Sequence, residues 1–310
     1  MTNADRIATP AAAGSATGAL ITAGAALALA VNNVTVPLVY AAGANAPTVV
    51  LLRYLFLLAV LTALLMLMGR SLRLRRAEYL HAAGAGIAAA IGAMSLLGSF
   101  ARIPLGLAIL IAYLYPIFTA LMQSLIERRL PSLWQLSCLL AAFLGLGIAL
   151  EIRDMALNPT GVGLAFMAAL GFGASFVWNR YGLPEADSTI ASLHMGVAGT
   201  LVTGLVLILL APFRPPAAGD LTGWLLVGAV SICFSLAFLG MFAGVQRIGA
   251  TAAAMIMNLE PILTIALAVL MLGEALTLAR LIGGAIVLAA VLASQMVGHT
   301  PGDRPIRQRA

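Results

Sequence analysis

Glu260 lies about eleven residues into an apolar run over residues 249–273, which at 1.5 Å per residue puts it about 16 Å from the start of a helix and near mid-membrane. A carboxyl at that depth is costly unless it is neutral, paired or wet. Three roles fit it: a proton-coupling site, a partner for a substrate amine, or a packing carboxyl bonded to backbone freed by Pro261. Pro261 disturbs the helix bond to the carbonyl of Met257, and Pro116 does the same at Ala112. A freed carbonyl at mid-membrane must face a cavity or find a partner, so the two prolines predict either a shared cavity or two packing kinks.

Other residues could complete a site for a small zwitterion. Asn258 and Tyr113 could join Glu260 as a polar patch, with Tyr115, Trp178, Phe234 and Phe238 as the wall. Phe234, Phe238 and Phe242 recur every four residues, a stripe that suits helix packing or lipid contact as well as a binding wall. Asn32, beside Asn33, stands five residues before Pro37, and Asn179 stands five before Pro184. Asparagine supplies donor and acceptor together. These pairs predict binding or gating positions, or interhelical hydrogen bonds, with Pro37, Pro116, Pro184 and Pro261 as hinges. Arg53 is expected to snorkel to the interface, and His81 and His194 to serve as interfacial anchors.

The elements that must hold these residues follow from composition. Hydrophobic residues make up 62% of the chain and charged residues 9%, with mean hydropathy +1.05; soluble domains carry about 25% charge. Ten apolar runs of membrane-spanning length fall at 17–41, 47–69, 78–101, 103–126, 132–150, 160–181, 188–211, 220–245, 249–273 and 277–298. The expected fold is an all-α membrane protein. No cleavable signal precedes the first run. The tails at 1–16 and 299–310 are polar, and Cys138 and Cys233 are expected as reduced thiols. A Walker motif and a His/Cys cluster are both missing from the sequence, which disfavours ATP hydrolysis, metals and cofactors. The net charge of +6 needs no nucleic acid.

The runs are organised as two copies of one unit. Arg102–Thr119 laid over Arg247–Thr264 at an offset of 145 gives eight identities in eighteen positions, including the arginine, the proline and the threonine. The copies are expected at 17–151 and 160–298. Five spans per copy make the second traverse the membrane in the opposite sense, so the ten helices form two inverted five-helix repeats, the construction of many alternating-access carriers. With both termini cytoplasmic, the inner loops and tails hold twelve arginines and the outer loops four, a positive-inside bias.

Asn258-Leu259-Glu260-Pro261, then Leu272-Gly273-Glu274 and Gly283-Gly284, resemble the EamA branch of the drug/metabolite transporter superfamily. A degraded version stands in the first copy as Tyr115-Pro116, Glu127, Gly145 and Gly147. Arg53-Tyr54 is similar to the family's Arg-Phe, while Asn32-Asn33 replaces its usual tryptophan-glycine. The resemblance implies a ten-span transporter of the bacterial inner membrane, not an enzyme. Within the family the chain is most similar to YddG-type exporters of aromatic amino acids. That implies an amino-acid-like substrate, with the lipid bilayer and protons as further partners.

Overall fold

A computed structural model of the chain describes residues 10–70, 72–128, 130, 132–149, 158–183, 186–248, 253 and 256–297. The described residues form helices and short connections, with no strand among them. The helices are α1 (Pro10–Ala41), α2 (Ala46–Leu67), α3 (Arg76–Phe100), α4 (Leu105–Ala112), α5 (Tyr115–Ile126), α6 (Leu133–Ala149), α7 (Pro159–Gly182), α8 (Ser188–Leu209), α9 (Leu221–Ile248), α10 (Leu259–Leu272) and α11 (Leu278–Val297). Seven stretches, with α4 and α5 taken together, are long and apolar enough to cross a membrane, and α6, α10 and α11 supply three shorter apolar helices. The chain is thus a multi-pass helical membrane protein. Pro184, residues 1–9 and 298–310 and the side chain of Phe242 lie outside the described residues, while residues 10–16 of the expected first tail belong to α1.

Helix ends in such a bundle need partners, because lipid offers the terminal N–H groups none. Asn45 caps α2, accepting from the N–H of Thr48 at 3.1 Å. Asn158 caps α7 through Gly161 at 3.1 Å, and Asp187 caps α8 through Thr189 at 2.9 Å and Ile190 at 3.2 Å. Gly273 ends α10 at φ 67°, a left-handed conformation that favours glycine.

The run over 103–126, expected as one helix, is broken. Tyr113 and Leu114 form a turn between α4 and α5, because Pro116 has no N–H for the Ala112 carbonyl and its ring crowds that turn. Asn258 forms the matching turn three residues before Pro261.

Small residues let the rods approach closely. α1 packs on α9, α3 on α7, α6 on α11 and α2 on α8. At the α6–α11 crossing a Cβ on Gly145 would come within 2.8 Å of the Gly283 carbonyl, and one on Gly283 within 2.5 Å of the Ala149 nitrogen. Such backbone approach at small residues is how helices associate where lipid removes the hydrophobic drive. The free thiols Cys138 and Cys233 lie within α6 and α9.

The two ends of the bundle are held differently. At the end where α2 leads into α3, Arg70 pairs with Asp187 at 2.7 Å; this is the tail end, where α1 begins and α11 finishes. At the opposite end Glu274 accepts from the N–H groups of Leu105 at 2.5 Å and Gly106 at 3.2 Å, capping α4. Also there, Asn45 donates to the Pro212 carbonyl at 2.9 Å and Tyr40 to that of Leu97 at 2.7 Å.

Candidate functional site

The two broken rods meet at Glu260. Its carboxyl is 6% exposed and both oxygens are engaged: Asn33 Nδ2 donates to Oε1 at 2.8 Å, and the Tyr113 hydroxyl donates to Oε2. Tyr113 sits in the first rod's break and Glu260 two residues beyond the second's. The same hydroxyl lies 3.5 Å from the Met257 carbonyl, the group that Pro261 leaves without its helix partner. Asn33 is brought in by α1, where Pro37 in turn frees the Asn33 carbonyl. Asn32 is fully buried; with its amide assigned by its surroundings, the nitrogen donates to the Val230 carbonyl at 3.1 Å and the oxygen accepts from the Asn33 N–H at 3.2 Å. Two asparagines, a tyrosine and a carboxylate thus form one polar centre surrounded by apolar side chains.

Aromatic rings extend from that centre. Tyr115 lies 5.8 Å from Tyr113, stacks on Phe176 at 5.3 Å and meets Phe172 edge-on at 6.5 Å. At the tail end a cavity of about 460 Å³ is lined by His81, Trp178, Tyr181 and apolar residues of α5 and α7. Trp178, 46% exposed, donates to His81 Nδ1 at 3.2 Å, and Tyr181 donates to Glu127 at 2.5 Å. His194 meets Tyr79 edge-on at 4.8 Å.

The structure brings Asn32, Asn33, Tyr113 and Glu260 together, with Tyr115 adjoining. Asn258 is buried in the turn just before Glu260. It does not bring Trp178 and Asn179 to that centre: Trp178 belongs to the tail-end cavity, and Asn179 contacts the Met195 sulfur at 3.4 Å. Phe234 and Phe238 lie 6.4 Å apart, and Phe234 faces Arg53. Arg53 does not snorkel; it is 4% exposed, with its guanidinium carbon 4.3 Å from the Phe234 ring centroid. Arginine inside a bundle faces its interior or a wet cavity, and the large flat ring of Phe234 holds this one inside. Sequence reasoning also missed what Glu274 does. Its signal was the preceding Gly273, whose left-handed turn lets the carboxylate swing back onto α4.

An apolar bundle of broken rods around one buried polar centre is a multi-pass membrane protein with a polar site inside it. The model of the EamA-like transporter family matches residues 16–150 and again residues 159–295. The chain belongs to the EamA-like transporter family, within the drug/metabolite transporter superfamily, and its two matches are two copies of one unit. Members of this family are transporters of small molecules in a lipid bilayer, not enzymes. A solved structure described only as "Crystal structure of protein" shares the fold at TM-score 0.59 and 21% identity, covering 91% of this chain and 97% of that one. No curated protein sequence matches the chain.

Proposed function

We propose that the protein is a secondary transporter of the bacterial inner membrane that exports amino acids with large apolar or aromatic side chains, or similar small metabolites, by alternating access. The observation that carries this reading is Glu260, a carboxylate held at the junction of two proline-broken rods by Asn33 and Tyr113. A substrate ammonium can replace either donor there, and a proton can neutralise the carboxyl when the site is empty. Tyr115, Phe172 and Phe176 supply the aromatic wall that an apolar side chain needs. Such contacts are worth about 0.5–1.5 kcal/mol per aromatic pair beyond burial, which favours a broad rather than a narrow specificity.

Alternating access draws support from the helix pairs. If the second five helices repeat the first with inverted topology, α1–α9 and α3–α7 are counterparts, and α6–α11 and α2–α8 are pairs across the two-fold axis; all four pairs are in contact. The arginine bias supports a cytoplasmic position for both termini. The similarity to YddG-type exporters favours aromatic amino acids.

Competition in liposome exchange tests the substrate class. Phenylalanine, tryptophan, methionine and leucine are expected to compete within about tenfold of one another, as modest aromatic contacts imply, while glutamate, lysine and phosphorylated metabolites do not compete. Competition by phosphorylated sugars without phenylalanine would overturn the substrate and leave the transporter.

A further inference from the structure

Arg53 is a buried cation with a guanidinium nitrogen that has no partner. It stands on the second turn of α2, about 10 Å from that helix's end at 1.5 Å per residue, and its Nε has no hydrogen-bond acceptor. What it does touch are ring faces: Phe234 at 4.3 Å from the guanidinium carbon and its neighbour Tyr54 at 5.9 Å, the two rings meeting edge-on at 6.1 Å. A ring face attracts the flat side of a guanidinium, whereas its fork of N–H donors points outward along the edge. No carboxylate among the described residues pairs with it; the ion pair they form is Arg70–Asp187, at the tail end.

The fork is also in the right neighbourhood. Phe234 follows Val230 by four residues of α9, about 6 Å, and the Val230 carbonyl faces Asn32, next to the Asn33 that holds Glu260. A buried arginine beside α9 and a hydrogen-bonded carboxylate beside α1 therefore adjoin one packed helix pair. A planar fork with an apolar floor is the geometry that takes a carboxylate through two parallel hydrogen bonds.

We propose that Arg53 binds the carboxylate of the transported solute, with Phe234 as the floor of that subsite, while Glu260 takes the ammonium. This rests on the amino-acid reading of the polar centre and adds the residue that distinguishes an amino acid from an amine. Lysine is not equivalent at such a site, because it offers a point charge instead of a fork.

The test uses purified full-length protein in liposomes, exchanging labelled phenylalanine against two competitors: phenylalanine and phenylalaninol, which keeps the amine but carries a hydroxymethyl group for the carboxylate. In the wild type phenylalanine is expected to compete at least about tenfold better, the order of a charge-assisted hydrogen bond. In Arg53→Gln that ratio is expected to fall toward unity, and in Arg53→Lys to an intermediate value. An arginine that only packs the helices would lower the melting temperature and weaken both competitors alike, leaving the ratio unmoved; that result, or an unchanged ratio in a folded variant, overturns the proposal. Where Arg53→Gln does not fold, Arg53→Lys decides on the same ratio. A wild type that exchanges no amino acid removes the substrate reading alone. In that case 3-phenylpropanoate, an aromatic carboxylate without an amine, is expected to raise the melting temperature of the wild type and not of Arg53→Lys, and equal shifts overturn the Arg53 subsite.

Discussion

A carboxyl group in an apolar bundle persists only when its oxygens are engaged, and both oxygens of Glu260 are. If the group carries a coupling proton, Glu260→Gln is expected to abolish the pH dependence of net transport while labelled-for-unlabelled exchange continues. If it is only a packing carboxyl, the variant loses expression or melts earlier, and unchanged transport, pH dependence and stability together would eliminate both roles. Tyr113→Phe removes one donor from a buried acceptor, which costs about 1–3 kcal/mol; a lower melting temperature and slower exchange are expected, and a thermal melt with an exchange assay checks both. Glu260 was legible in the sequence because it stands alone in an apolar run. Its partners were less so. Asn33 is separated from it by 227 residues, and nothing local distinguishes it from Asn32, whose amide turns instead to α9. Arg53 misled for a physical reason, since its place on the second turn of α2 suits snorkelling and only the ring of Phe234, from a distant helix, keeps it inside.

At the scale of elements the prolines set the architecture. Each removes one helix bond, and the turns at Tyr113–Leu114 and Asn258 place a tyrosine and a carboxylate within reach of each other. The sequence located these disturbances through Pro116 and Pro261, but a kink and a full break leave the same signature in it; the difference lies in how neighbouring helices satisfy the freed carbonyls. Pro261→Ala can restore a bond to the Met257 carbonyl. A raised melting temperature with slower exchange is expected, since an interior proline costs about 3 kcal/mol of helix stability. The α6–α11 crossing gives a sharper contrast. Gly283→Ala drives a methyl group against the backbone of α6, whereas Gly147 on the same helix has nothing within 4 Å of an added Cβ. Overpacking of this kind costs about 1–3 kcal/mol, so Gly283→Ala is expected to melt earlier than the wild type and Gly147→Ala to match it in the same thermal-shift experiment.

For the whole molecule, two copies of one unit build a bundle whose ends are closed by different chemistry. Glu274 caps α4 at one end, while an exposed ion pair and an aromatic-lined cavity mark the other. The repeat was visible in the eight identities between residues 102–119 and 247–264, whereas the closing contacts were not, because each joins helices distant in sequence. Orientation is testable by labelling: in a background without Cys138 and Cys233, a cysteine at Asn158 is expected to react with an impermeant maleimide in intact spheroplasts, and one at Ser71 is not. The reverse would overturn the positive-inside assignment. The most direct measurement of carrier function is counterflow. Liposomes containing the protein and loaded with excess unlabelled phenylalanine are diluted into a trace of labelled phenylalanine. A carrier that exposes its site to one side at a time drives the label transiently above its equilibrium level inside, and that overshoot is the expected result. Entry that rises only to equilibrium, as through a channel, or no entry of any small solute, would contradict it.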